Sequence, residues 1–166
     1  MVGQGLCKKA PWSGIGKNLV IAYAGNMLGA FLVSVLAACG GVLTGFSPNT
    51  QQLAVTIAQN KCALPFMDAL LKGIGCNVLV CAAVWMASGA SNAGGKAVLC
   101  FFPVMLFVLC GLEHSIANMY YIPAGMLAGA KVTIGQYLLN NLLPVTLGNI
   151  IGGAGFAAAY AAVYRS

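Results

Sequence analysis

The chain has 166 residues, of which 60% are hydrophobic and only 6% charged, where an ordinary soluble domain carries about 25% charged residues. So few charges cannot cover a water-exposed surface. So much apolar content excludes a disordered chain, and the 22 glycines follow no Gly-X-Y period and exclude a collagen-like one. A polytopic membrane protein remains, all-α in fold class. The net charge of +6 does not point to nucleic acid: the basic residues are scattered, only Lys8 and Lys9 are adjacent, and no basic stripe interleaves with aromatics. Cys7, Cys39, Cys62, Cys76, Cys81, Cys100 and Cys110 include no CxxC pair. Five of them lie in apolar runs and read as small packing residues; a disulfide framework or a metal site is not expected, nor is a cofactor.

The first uncharged apolar run, about 18–43, is long enough to cross a hydrocarbon core of about 30 Å. It is also too long for the apolar region of a signal peptide. The polar stretch 44–64 reads as a loop, with room for a short helix around Leu53–Gln59. Pro65 opens a second span to about Ser88, since proline suits a first helical position. After a turn at 88–95 a third run, 97–129, is too long for one straight crossing. It carries Glu113-His114-Ser115 near its middle, with Pro103 and Pro123 interrupting on either side, and reads as two half-helices joined by irregular backbone near 113–115. The fourth span is about 134–164. Lys8, Lys9, Lys17, Lys96 and Arg165 fall on one side, against Lys61 and Lys131 on the other. The positive-inside rule puts the first side, and both termini of this chain, in the cytoplasm.

The first and fourth spans share a pattern. Asn18-Leu19, Gly25-Asn26 and Gly29 recur at one constant offset as Asn141-Leu142, Gly148-Asn149 and Gly152. Two independent small-xxx-small packing faces would explain the glycines but not the paired asparagines. With two spans between them, the repeated helices run in opposite directions, which is an inverted-topology repeat of three helices. The second unit is complete, and the first shows only its last helix. Two earlier spans are therefore expected, the second of them broken. On this reading residues 1–166 are one membrane domain, the C-terminal four-span part of a six-helix protomer whose first two helices are missing.

Glu113 and His114 are the acid and the histidine of the bilayer interior, where ionisable groups are costly and face a polar path or a partner. A half-helix beginning near Ser115 would turn its N–H groups and positive dipole end toward the break. There His114 can donate to an anion or exchange a proton with it. The alternative is that Glu113 and His114 only satisfy backbone groups freed by the break. That alternative is favoured for Glu113, and the pathway role for His114. Asn77 and Asn118 read as helix–helix hydrogen-bond partners before ligands. Lys61 is a candidate for attracting anions at an outer vestibule.

At these residues the sequence closely resembles the formate/nitrite transporter family. The resemblance rests on Gly111-Leu112-Glu113-His114-Ser115-Ile116-Ala117-Asn118-Met119 followed by Tyr120-Tyr121-Ile122-Pro123, and on Gly75-Cys76-Asn77-Val78-Leu79-Val80-Cys81 running to Val84-Trp85-Met86. The run from Asn141-Leu142-Leu143-Pro144 to Gly148-Asn149-Ile150-Ile151-Gly152-Gly153 completes it. The resemblance implies an aquaporin-like six-helix protomer assembled as a homopentamer in the lipid bilayer of the cytoplasmic (inner) membrane, each protomer with its own pore. It also implies that His114 is the central pore histidine and that Phe107 belongs to an apolar constriction. Asn77 and Val80 would then lie beside the pore, Lys61 near the outer entrance, and Glu113, Ser115 and Asn118 in support of the broken helix.

The leading function is passage of a small monovalent anion or its conjugate acid, formate first and nitrite next. Hydrosulfide or lactate passage by the same family is the alternative. A neutral-solute channel and a non-transporting truncated fragment are the others. An enzyme is not expected: adjacent residues on a helix point apart, and no HExxH, GxSxG or Ser/His/Asp set is present.

Overall fold

A computed structural model describes residues 11–45 and 47–163. Cys7, Lys8, Lys9 and Arg165, named above, lie outside the described residues, as does residue 164 at the end of the fourth expected span. Every regular element among the described residues is helical: α1 (Trp12–Cys39), α2 (Val42–Gly45), α3 (Pro48–Cys62), α4 (Phe66–Ser88), α5 (Ala93–Leu109) and α6 (Ser115–Leu127). A π-helical segment, Gln136–Leu142, then runs directly into α7 (Leu143–Val163). Among the described residues three helices are long and apolar enough to cross a membrane: α1 with 28 residues, α4 with 23, and the combined Gln136–Val163 with 28. The apolar α5 is shorter, at 17 residues.

Several boundaries differ from the sequence reading for identifiable reasons. The stretch read as a loop is mostly α3, fifteen residues long. Ser47 caps it by accepting from the Asn49 N–H at 3.2 Å, and Pro48 stands in the first turn. Its polarity concealed it, because α3 is too polar to resemble a span. α5 starts at Ala93 because Asn92 accepts from the Gly95 N–H at 2.7 Å. Neither Pro103 nor Pro123 interrupts its helix, and both lie inside, at α5 and α6 respectively. The break falls at 110–114, overlapping the expected 113–115 and starting a few residues earlier. The π-helical turns lie directly upstream of Pro144, whose ring would collide with the Asn140 carbonyl in a regular α-helix.

The chain divides into two compact units. One comprises the described parts of Met1–Lys17, Leu70–His114 and Val145–Ser166; the other comprises Asn18–Ala69 and Ser115–Pro144. Within the second unit, α6 lies close against α3, because a Cβ at Gly125 would collide with the Ala58 side chain and the Ala54 carbonyl. Ala58, Cys62, Met119, Ile122, Tyr137 and Leu142 form the core there, and Tyr23, Met27 and Ala30 of α1 pack onto it. One turn further along α1, Ser34 donates its hydroxyl to the carbonyls of Ala30 and Tyr120, at 2.8 and 3.1 Å.

Within the first unit, α4 and α7 meet through glycine. A Cβ at Gly73 would stand 2.8 Å from the Val145 carbonyl oxygen. A Cβ at Gly148 would strike the Leu70 carbonyl, and one at Gly152 the Ile74 carbonyl. Only residues without a side chain let these two backbones approach so closely, which is how membrane helices gain packing contacts when lipid supplies no hydrophobic driving force.

Candidate functional site

The helix break is built by its own sequence. α5 stops at Leu109 because Gly111 takes φ +60, a left-handed conformation that costs glycine nothing. The Gly111 N–H then donates to the Val108 carbonyl at 3.1 Å and the Leu112 N–H to the Phe107 carbonyl at 3.0 Å. This paired pattern is a Schellman motif, which satisfies carbonyls that the helix end would leave bare. α6 ends identically: Gly129, at φ +109, donates to Met126, and Ala130 to Gly125. The Leu112 side chain lies against Gly75 of α4, where a Cβ would stand 3.5 Å from it.

Beyond Leu112 the backbone is irregular and buried, so its polar groups need partners from elsewhere. α4 and α7 supply them. The Glu113 N–H donates to the Lys72 carbonyl at 3.4 Å. The Glu113 carbonyl accepts from the side-chain amide of Asn149 at 3.0 Å, and the same amide donates to the Gly73 carbonyl at 2.8 Å. Asn77 in turn donates its amide to the Asn149 carbonyl. Gly73, Gly148 and Gly152 allow the close approach that puts these amides in range. Glu113 itself is buried, at 4% exposure.

His114 follows as the last residue of the unit's segment Leu70–His114. Its ring is half-buried and stacks on Phe107, with centroids 5.8 Å apart and planes 18° from parallel. Phe107 and His114 thus set an apolar ring face to face with an imidazole. α6 starts at the next residue, so its first N–H groups, which an α-helix leaves without intrahelical partners, follow His114 directly in the chain.

In the second unit Asn118, fully buried on α6, donates to the Asn141 side-chain oxygen at 2.7 Å. Asn141 passes the link on, donating to the Lys61 carbonyl at 2.9 Å. The Lys61 ammonium lies 5.8 Å above the Tyr121 ring, within the range of a cation–π contact. Ser115 is buried at the start of α6.

The candidates from the sequence therefore fall into two sets. Phe107, Glu113, His114, Asn77, Asn149, Gly148 and Gly152 come together in one unit, and Lys61, Ser115 and Asn118 belong to the other. Val80 is half-buried on α4, one turn from Asn77. Gly25, Asn26 and Gly29 of α1 are exposed. The sequence reading gave no role to Gly73, Tyr121 or Asn141. Asn141 had a signal, its place in the repeated pattern; Gly73 and Tyr121 had none.

Comparison with known proteins points to one family. A family described as formate/nitrite transporter matches residues 1–163. A probable formate transporter of Methanothermobacter thermautotrophicus is 39% identical over 168 residues, covering 92% of this chain and 60% of that protein. The formate channel FocA of Escherichia coli K12 is 33% identical over 160 residues, covering 86% of this chain and 56% of FocA. A solved pentameric formate channel with formate bound superimposes with a TM-score of 0.85 at 30% identity, over 93% of this chain and 68% of that one. The chain thus spans between half and two thirds of the length of these curated relatives.

Proposed function

Since this chain belongs to the formate/nitrite transporter family, a family of transporters rather than enzymes, we propose that it contributes to a transmembrane path for a small monovalent anion or its conjugate acid. Formate is the first candidate and nitrite the second. The observation that carries this reading is the stacking of His114 on Phe107 at a helix break fastened by Asn149.

The chemistry follows from those groups. An anion cannot cross an apolar constriction with its charge intact without a large desolvation cost. A histidine beside the constriction lowers that cost by donating a hydrogen bond or a proton, so that the species meeting Phe107 carries less charge. Its position is fixed from behind, since the preceding carbonyl is held by Asn149. Lys61, at the end of α3, supplies positive charge that raises the local anion concentration at the outer entrance. Asn77 and Val80 flank the path, while Glu113, Ser115 and Asn118 hold the break.

The same reading places the protein in the cytoplasmic membrane with both chain termini inside, which the distribution of lysines supports. Assembly as a homopentamer is supported by the pentameric state of the similar formate channel. The inverted repeat supports an aquaporin-like arrangement, with the repeat's first two helices lying outside the four spans of this chain.

The test is anion flux in proteoliposomes containing the protein purified from its membrane. Formate and nitrite should move and glycerol should not, and His114→Ala should change both the rate and its dependence on pH. Equal glycerol and formate flux, or a His114→Ala protein with an unaltered profile from about pH 5 to about pH 8, would overturn the proposal.

A further inference from the structure

We infer that Tyr121 is a positioning residue for Lys61: the face of its ring holds the ammonium in place without cancelling its charge, so that an arriving small anion meets a cation that is already set. The inference rests on the anion-path reading above and names what prepares the lysine for capture.

The contact is built by matched stripes on two helices. Ala54, Ala58 and Lys61 follow one face of α3 at four- and three-residue spacing, and Asn118, Tyr121 and Gly125 follow one face of α6. The close approach at Gly125, where a Cβ would collide with the Ala58 side chain and the Ala54 carbonyl, sets the register between these faces. One turn along, the same register brings the Lys61 ammonium to 5.8 Å from the centre of the Tyr121 ring.

Both partners are held from behind. Asn141 donates to the Lys61 carbonyl at 2.9 Å and itself accepts from Asn118 at 2.7 Å, which fixes the backbone that carries the lysine. Tyr120 sets its ring edge-on to Tyr121, with centroids 5.6 Å apart and planes at 63°. The Tyr120 carbonyl in turn accepts from the Ser34 hydroxyl at 3.1 Å. Tyr121 is 40% exposed and Lys61 is half-buried, so the pair stands at the surface of its unit and not in its core.

A ring suits this task better than an acid does. A carboxylate would hold the ammonium but neutralise it, whereas the negative face of an aromatic ring attracts the ammonium and leaves its charge to act on other ions. A free lysine stem carries large rotamer entropy, which would be lost at the moment an anion binds. The ring removes that freedom beforehand. Its effect therefore falls on capture at the entrance and not on the passage that follows.

The test is formate flux in proteoliposomes of the protein purified from its membrane. Tyr121 is replaced by phenylalanine, and then by phenylalanines of increasing ring fluorination, which keep the shape of the ring while removing its negative face. Tyr121→Phe should behave like the unaltered protein. The fully fluorinated ring should lower flux at low formate by about two- to fivefold and leave flux at saturating formate unchanged. In a Lys61→Gln background the fluorinated ring should cause no further loss, because both changes remove one interaction. Flux unchanged across the series, a loss equal at low and saturating formate, a Tyr121→Phe protein as impaired as the fluorinated one, or a loss that persists with Lys61→Gln would each overturn the inference. Acylation of Lys61 by acetic anhydride, followed by mass spectrometry, should quicken across the same series, since the ring no longer holds the amine. An unchanged acylation rate would overturn the inference even where no formate moves, whereas absence of flux from every protein would overturn the transport reading alone.

Discussion

The side-chain amide of Asn149 reaches the main-chain carbonyl of Glu113 at 3.0 Å, so a residue of α7 holds the irregular backbone one position before the histidine. The same amide donates to Gly73 at 2.8 Å, which ties the break to α4 as well. One amide group thus joins three chain segments, and the ring of His114 is as firmly placed as this junction.

Replacing Asn149 by alanine leaves two buried carbonyls short of a donor. The cost expected is about 1–3 kcal/mol for the loss, read as a lower unfolding temperature of the detergent-solubilised protein. Asn149→Asp should be worse than Asn149→Gln, since the carboxylate offers acceptors where donors are required. A protein with Asn149→Ala and unchanged thermal stability would show that the junction is not held here.

Gly148→Ala should be among the most damaging methyl additions in the chain. Its Cβ would strike the Leu70 carbonyl and lie 3.0 Å from the Ile74 nitrogen, both backbone atoms that cannot turn aside. Overpacking of this kind costs about 1–3 kcal/mol. Gly155→Ala, on the same helix with nothing within 4 Å, should be neutral or slightly stabilising, because alanine is the better helix former. Monodispersity and melting temperature of the two variants side by side check the contrast.

Gly111→Ala should strain the Schellman turn by about 1–2 kcal/mol, since φ +60 is unfavourable for an L-residue with a Cβ. Space is not the reason, as no atom lies within 4 Å of the added carbon. Gly111→Asn should be milder than Gly111→Ala, because asparagine tolerates the left-handed region. Comparing the two melting temperatures separates backbone strain from crowding.

Phe107→Ala and His114→Ala should fail differently in flux measurements. Removing the Phe107 ring takes away the apolar surface stacked on His114, so discrimination against larger or hydrated ions should relax. Removing the imidazole should leave that discrimination in place and flatten the dependence of formate flux on pH between about 5 and 8. Variants that alter rate alike, with the same selectivity and the same pH profile, would sink the separation of roles.

The sequence carried the membrane character, the run of spans and the broken helix, because each depends on properties local to the chain. Apolar length identifies a span whatever surrounds it, and Gly111 and the ionisable Glu113-His114 pair mark the break without reference to any neighbour. The repeated Gly-Asn pattern and the family resemblance were legible for the same reason. Tertiary structure decided what those residues touch. α3 was expected only as a short helix around Leu53–Gln59 because its polarity gives no apolar run, and its full length rests on the Ser47 cap and on contact with α6. The prolines, read as interrupting the run, are carried inside helices, while a left-handed glycine makes the turn just before the expected break. Sequence could not say that Asn149 fastens Glu113, that Asn141 links Asn118 to Lys61, or that one copy of the repeat is packed and the other open. Those facts arise from pairs far apart in the chain, and no periodicity along one helix records which neighbour will lie against it.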